Sequence, residues 1–149
     1  MSFTGSSHVK LDDKSRLAIP TRIRKELEES WGNKLVVTLD LYENCMVLYP
    51  YRHWNESIEP AWANVPNVQR RTRDMQRRFL GNAAELVMDG SGRIRLPSVL
   101  VDVTGIEKDL VLVGMNKKFE LWQPASWEAK MQPFDDDMEL PEALLELTT

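Results

Sequence analysis

The sequence predicts an α+β, β-rich fold built from two tandem copies of one small unit. Three observations lead to this prediction: a recurring motif, apolar alternation at strand spacing, and short apolar stripes at helical spacing. The motif occupies residues 12–20 and again residues 89–97, an offset of 77 positions. In both copies Asp, Arg, two aliphatic residues and Pro stand at the same spacing. The chain is therefore expected to carry an internal duplication.

The similarity between the copies continues downstream of the motif. Residues 35–38 match 110–113, and residues 46–50 match 120–124. The segments 46–50 and 120–124 both end in proline, and a tryptophan, Trp54 or Trp127, follows soon after. These matches predict four parts: a first unit (5–54), a helical linker (55–82), a second unit (83–127) and an acidic C-terminal segment (128–149).

Each unit is predicted to begin with a β-hairpin. The first strands, at 8–11 and 85–88, run into a turn whose Asp, Gly and Ser residues favour tight turns. The second strand of each unit has alternating apolar residues, which indicates one buried face. These residues are Leu17 and Ile19 in the first copy and Ile94 and Leu96 in the second.

A short helix and two further strands complete each predicted unit. Proline ends the second strand and is well suited to the first turn of a helix. The apolar stripe of this helix is Ile23, Leu27 and Trp31 before Gly32 in the first copy, and Leu100 and Val103 before Gly105 in the second. The remaining strands are predicted at 35–39, 45–49, 110–113 and 119–122, with a hairpin turn at 116–118.

One such unit buries too little surface to be stable alone. The two units must therefore share a core, either within one chain or between chains, and oligomerisation is expected.

The linker is predicted to form two helical stretches. Trp54, Ile58 and Trp62 share one helix face, which Pro60 should kink or end. A second stripe consists of Val68, Thr72, Met75 and Phe79. The stretch 140–147 is amphipathic but is broken by Pro141; it is either a helix that docks on a neighbour or a frayed tail.

Composition indicates a globular protein of the cytoplasm. A hydrophobic content of 42% is sufficient for a core, and the start of the chain lacks an apolar leader segment. No uncharged apolar run approaches the ~18 residues that a membrane-spanning helix requires. Cys45 is the single cysteine, so no internal disulfide can form and a reducing compartment fits.

Charge is distributed unevenly along the chain, whose net charge is −4. Residues 135–149 contain six acids and no Lys or Arg, which leaves 19 basic against 17 acidic residues elsewhere. Residues 9–25 carry six bases and two acids, and residues 70–78 carry five arginines and one acid. Local positive charge matters more for nucleic-acid binding than the total, although such runs also occur on solvated helix faces.

The Asp-x-x-x-Arg turn is open to a structural and a functional interpretation. Structurally, each Asp could cap turn amides and pair with its Arg; functionally, the Arg on a rigid ribbon could contact phosphates or a guanine edge. The repetition of the motif favours DNA binding, with Asp12 and Asp89 orienting the guanidinium groups. The candidate DNA-binding residues are Arg16, Lys14, Lys10, Arg22, Arg24 and Arg93. Arg93 has fewer bases beside it in sequence, so its role is expected to be weaker or mainly structural.

The arginines of residues 70–78 have two equally weighted interpretations. They contact DNA phosphates, or they form salt bridges with acidic neighbours, including the acidic tail of another subunit.

Catalysis, a metal and a cofactor are not expected. His8 and His53 are the only histidines, and neither has a metal-ligand spacing with Cys or acidic residues. Nucleotide-binding and nucleophile-elbow motifs are absent from the sequence. Cys45 begins an apolar strand and is expected to serve packing.

The quoted motifs give the chain a family likeness. It resembles the MraZ family, bacterial regulators from the division and cell wall gene cluster, over residues 1 to about 130. The matching segments are 11–17, 48–50, 77–83, 88–93, 111–114 and 118–122. The resemblance implies two SpoVT/AbrB-like halves with swapped hairpins in a double-split β-barrel, which assemble into a ring-shaped homo-oligomer.

The resemblance also implies a function. Members bind double-stranded DNA at repeated G-containing elements upstream of their own gene cluster, which predicts a nucleoid-associated repressor without a small-molecule substrate. The alternative is an antitoxin-like or assembly module of the same fold that acts through a protein partner. The family usually has Gly where Ser15 stands and often a basic residue where Thr4 stands, which leaves the conformation of the first turn and any contact from the N-terminal arm open.

Overall fold

The computed structural model describes residues 2–148 and has an α+β fold whose strands pair antiparallel. The strands are β1 (Ser6–Lys10), β2 (Arg16–Ala18), β3 (Lys34–Leu39), β4 (Met46–Pro50), β5 (Ala84–Val87), β6 (Arg93–Arg95), β7 (Asp109–Gly114) and β8 (Phe119–Trp122). The helices are α1 (Thr21–Ser30), α2 (Tyr51–His53), α3 (Glu59–Ala63), α4 (Arg70–Phe79), α5 (Ser98–Thr104) and α6 (Pro124–Ala129). A π-helical turn (Trp54–Ile58) joins α2 to α3, and a 3-10 helix (Glu142–Thr148) follows Pro141. The duplicated strand and helix order predicted from the sequence is confirmed.

The two copies exchange their first strands. The larger sheet has the order β1-β7-β8-β4-β3-β5, in which β1 of the first copy pairs with β7 of the second. In the same way β5 of the second copy pairs with β3 of the first. Neither copy could form this sheet alone, so the two units share a core within one chain. This arrangement answers the question that the sequence left open.

The second strands of the two copies form a separate two-stranded ribbon. Arg16 lies opposite Arg95, Leu17 opposite Ile94, and Ala18 opposite Arg93. Two further backbone bonds extend the ribbon: the N–H of Ile19 donates to Gly92 O at 2.8 Å, and that of Leu96 donates to Ser15 O at 2.9 Å. Alternation then sends Leu17 and Ile94 into the core and leaves the arginines on the opposite face.

The main core lies between one face of the large sheet, the ribbon, and helices α1 and α5. Leu27 of α1, Leu35 of β3, Leu48 of β4, Leu110 of β7 and Leu121 of β8 are all fully buried. Full burial of each such side chain stabilises the fold by about 1.5–3 kcal/mol relative to exposure. This core holds the ribbon in place and thereby positions both turns.

The linker helices cover the other face of the sheet. Phe79 at the end of α4 stacks on Trp54 at 5.5 Å and on Trp62 at 5.1 Å between ring centroids. Pro60 is expected to kink or end the helix, and the structure has a π-helical turn just before it. Pro60 itself lies in the first turn of α3, where its missing N–H costs little.

Several sequence-based assignments need correction. Val103 of α5 is 46% exposed, whereas Leu100 and Val101 are buried, because this seven-residue helix turns its i, i+1 and i+4 positions to the core. Val68 is 85% exposed because it precedes the start of α4 at Arg70. The first strand of each copy also begins one or two residues earlier than predicted, since β7 and β3 of the other copy provide its pairing partners.

Between residues 2 and 148, the structure contains no helix that combines the length and the apolar character needed to cross a membrane.

Candidate nucleic-acid interface

The carboxylate of Asp12 organises the first turn. Its Oδ1 accepts hydrogen bonds from the backbone N–H groups of Lys14 and Arg16, both at 2.9 Å. Its Oδ2 accepts the Nε–H of Arg16 at 2.7 Å. The N–H of Asp12 donates to Arg16 O, and that of Ser15 donates to Asp12 O. One carboxylate therefore closes the turn and orients the guanidinium at the same time.

The second turn repeats this network. Oδ1 of Asp89 accepts the N–H groups of Ser91 and Arg93 at 2.8 and 3.0 Å, and Oδ2 accepts Arg93 Nε–H at 3.0 Å. Both contacts expected from the sequence, capping of the turn amides and pairing with the arginine, are therefore present in each turn.

The residue before each arginine has a left-handed backbone conformation. Ser15 has φ of 59° and Gly92 has φ of 76°. The two turns thus share one backbone geometry although Ser15 has a Cβ atom, which answers the question raised by this serine. Such a conformation costs roughly 1–2 kcal/mol for a residue other than glycine.

The hydrogen bonds keep both aspartates charged. The backbone N–H of Arg16, followed by its side chain and the N–H of Lys14, lowers the pKa of Asp12 to about 2. The pKa of Asp89 is lowered in the same way, mainly by the backbone N–H of Arg93. Each carboxylate therefore remains an acceptor for its arginine at neutral pH.

The ribbon brings the two turn arginines onto one surface. Arg16, Arg93 and Arg95 share its outer face with Ala18, while the intervening residues point into the core. The side chains of Arg16 and Arg93 are 28% and 38% exposed, so solvent reaches both. In the sequence, Arg93 lies far from the basic residues of 9–25. The pairing of β2 with β6 places it beside them.

Arg95 was not among the candidate residues. The apolar alternation could have identified it, because Arg95 stands two positions after Arg93 and lies between Ile94 and Leu96, which point inward. Arg95 is exposed, and with Lys14 and Ser15 it lines a groove of about 440 Å³ beside the first turn.

The other candidates divide into exposed and structural residues. Lys14 in the first turn, Arg22 in the first turn of α1 and Lys10 at the end of β1 are exposed. Arg24 is engaged: its Nη2 donates to Gly90 O at 2.7 Å and its Nε donates to Glu28 at 3.0 Å. Arg24, which lies in α1 of the first copy, therefore stabilises the turn of the second copy.

The arginines of 70–78 are mostly structural. Arg78 donates to the backbone oxygens of Asp40 and Glu43 at 2.6 and 3.2 Å, and Arg73 donates to those of Asn67 and Val68. Arg77 pairs with Asp74 at 2.8 Å. Arg70 and Arg71 are exposed at the start of α4. The interactions of Arg73, Arg77 and Arg78 lie within the chain.

Within residues 2–148, no group of three or more His, Cys, Asp or Glu side chains could hold a metal ion. Cys45 is fully buried, and burial raises the pKa of its thiol, so this side chain is a neutral packing group.

Comparison with known proteins extends over nearly the whole chain. The family model described as "MraZ protein, putative antitoxin-like" matches twice, at residues 2–78 and 79–145. The chain is 41% identical to Transcriptional regulator MraZ of Marinobacter nauticus over 94% of its length and 93% of that relative. It is 40% identical to the protein of the same name from Thioalkalivibrio sulfidiphilus over 97% of both chains. The relative from Hydrogenovibrio crunogenus is 42% identical over 85% of this chain and 83% of its own. The chain, with its two Asp-x-x-x-Arg turns joined by one ribbon, belongs to the MraZ family.

Proposed function

We propose that this protein is a sequence-specific DNA-binding transcriptional regulator, a repressor that binds repeated elements upstream of its own division and cell wall gene cluster. The observation that carries the proposal is the β2–β6 ribbon, whose outer face bears Arg16, Arg93 and Arg95. The name of the relatives, transcriptional regulator, supports the same conclusion.

The geometry of the ribbon suits the major groove of DNA. That groove is about 12 Å wide and admits a two-stranded β-ribbon. In each turn the Nε of the arginine donates to an aspartate, so the two terminal amino groups of the guanidinium remain for guanine O6 and N7 or for phosphates. Because the aspartate restricts the arginine before DNA arrives, less side-chain entropy is lost on binding.

Assembly would strengthen this contact. We infer a ring-shaped homo-oligomer in which several ribbons engage successive repeats, so that weak individual contacts add up through avidity. The exchange of first strands supports a swapped-hairpin, double-split β-barrel, with residues 5–54 and 83–127 as its two units, 55–82 as linker and 128–149 available for assembly. A protein that acts in this way without a substrate or cofactor would function in the cytoplasm, on the nucleoid.

Fluorescence anisotropy with a labelled duplex from upstream of the gene would test the proposal. Arg16→Ala should weaken specific binding by about 1–3 kcal/mol, the contribution of one good arginine–base pair, and leave the far-ultraviolet circular dichroism spectrum unchanged. Lys34→Ala, which removes an equal charge at an ion pair with Glu85, is the matched control. The affinity of the unsubstituted protein should also fall steeply with salt, because phosphate contacts release counterions. Unchanged specific binding by Arg16→Ala would refute the assigned role.

A second candidate is an antitoxin-like module that acts through a protein partner. The description of the matching family model and the exposed apolar side chains of the acidic tail favour this possibility. Purification from a nuclease-treated lysate distinguishes the two: a stoichiometric protein partner without promoter affinity would support the antitoxin-like role.

A further inference from the structure

A groove lies between α4 and the loop that joins β3 to β4. It has a volume of about 380 Å³ and is lined by Leu41, Met75, Arg70, Arg71, Arg78 and Asp74. Leu41 and Met75 contribute its apolar surface. The guanidinium of Arg78 donates to the backbone of Asp40 and Glu43, so Arg70 and Arg71 are the exposed positive charges at the groove. The groove therefore suits a ligand that is both apolar and acidic.

The C-terminal tail, residues 131–148, has this combination of properties. Its acidic residues are Asp135, Asp136, Asp137, Glu139, Glu142 and Glu146. Between them Met138, Leu140, Leu144 and Leu147 expose between 42% and 79% of their surface. Apolar side chains clustered at such exposure in one short segment are typical of a docking element.

The tail starts close to the groove but does not enter it in its own chain. Lys130, just after α6, pairs with Glu43 at 2.9 Å, and the backbone oxygen of Glu43 accepts a hydrogen bond from Arg78 at 3.2 Å. The groove lining consists of Leu41 and α4 residues, with no contribution from the described part of the tail. Each chain thus presents both an open basic groove and an exposed acidic tail.

We propose that the tail of one copy docks in the α4 groove of a second copy, with Leu140 and Leu144 against Leu41 and Met75 and the acidic residues beside Arg70 and Arg71. The two surfaces differ, so the contact is head-to-tail and can propagate from copy to copy until a ring closes. The inference rests on the self-association included in the proposed function and specifies the surfaces that produce it.

Sedimentation velocity on the full-length chain at micromolar concentration tests the docking. Arg70→Glu/Arg71→Glu removes the basic side of the groove, and Leu140→Glu/Leu144→Glu removes the apolar side of the tail. Each variant should fall from the mass of the unsubstituted assembly to that of a monomer. Arg77→Glu reverses a charge on the same helix outside the groove lining and should retain the assembly.

A mixture of the two variants gives the sharpest result. The groove variant keeps a native tail and the tail variant keeps a native groove, whereas the two altered surfaces both carry added acid and repel each other. An equimolar mixture should therefore form dimers and nothing larger. If the mixture stays monomeric, or if either variant alone keeps the unsubstituted mass, the proposal is wrong.

DNA binding separates this inference from the proposed function. On a duplex with a single element, the tail variant should bind with the affinity of the unsubstituted protein, because the ribbon is unaltered. On a duplex with several elements, it should bind at least ten-fold more weakly through lost avidity. Dimers in the mixture without any specific DNA binding would overturn the proposed function alone, and DNA binding without dimers would overturn the docking alone.

Discussion

The two Asp-x-x-x-Arg turns have the same hydrogen bonds but different surroundings. In each turn, one aspartate accepts two backbone N–H groups and the Nε of its arginine. Over the second turn, Arg24 donates to Gly90 O, and its side chain leaves no room for a Cβ at Gly92. Beside the first turn, in contrast, Ser15 lines an open groove.

The comparison separates the backbone geometry of a turn from the residues that surround it. The motif itself fixes the turn, since Ser15 and Gly92 reach the same backbone region despite their different side chains. The surroundings of the second turn come from α1, which belongs to the other copy. The position in α5 that corresponds to Arg24, at the offset of 77, is Val101, which cannot donate a hydrogen bond.

The largest expected effect compares the two arginines in DNA binding. Arg16→Ala and Arg93→Ala should each weaken specific binding by about 1–3 kcal/mol, roughly 5- to 150-fold, if both contact bases. The double variant should bind at the non-specific level, as measured by anisotropy against a scrambled duplex. A loss confined to Arg16→Ala would show that the halves are unequal in function despite their shared ribbon.

The next largest effect concerns the backbone of the turns. Gly92→Ala should destabilise the protein by about 2–3 kcal/mol, because a Cβ at φ of 76° is strained and would lie 2.6 Å from Cδ of Arg24, displacing its hydrogen bond. Ser15→Ala, the matched change in the first turn, should alter stability by less than about 0.5 kcal/mol, since the existing Cβ is retained. Urea unfolding midpoints compare the two, and a Gly92→Ala loss no larger than the roughly 1–2 kcal/mol of backbone strain alone would show that Arg24 does not constrain the second turn.

A smaller difference in stability is expected between the alanine variants of Arg24 and Arg22. Arg24→Ala should cost about 1 kcal/mol of stability through the lost bond to Gly90 O. Arg22→Ala should leave stability within about 0.5 kcal/mol. In DNA binding, Arg22→Ala should reduce the slope of log affinity against log salt by about 1 if it contacts a phosphate. An unchanged slope would remove Arg22 from the interface.

The smallest effect is a titration. The pKa of Asp12 should be about 2 instead of 3.8, as followed by the chemical shift of its carboxyl carbon. Because the folded-state pKa is lowered, its contribution to stability is present above 3.8 and is lost as pH falls through about 2. In Arg16→Ala the pKa should rise but stay below 3.8, since the backbone N–H of residue 16, the largest cause, remains. A value at 3.8 in that variant would assign the shift to the side chain instead.

Much of the site could be predicted from sequence because it is local. The turn needs only residues within four positions of Asp12, and alternation in 93–96 was sufficient to place Arg95 outward. The role of Arg24 could not be predicted, since Gly90 lies 66 residues away and the contact exists only after the halves exchange strands. Val103 shows the same limit in the fold, because a seven-residue helix has too little periodicity to define its buried face.

The sequence by itself determined the duplication, the turn chemistry and the inward and outward faces of the strands, all of which depend on neighbours along the chain. Tertiary structure alone decided that β2 pairs with β6 and that the two turn arginines share a surface. The physical reason is that neither copy buries enough apolar surface alone, so the halves interlock, and residues 77 positions apart in sequence become neighbours on one ribbon.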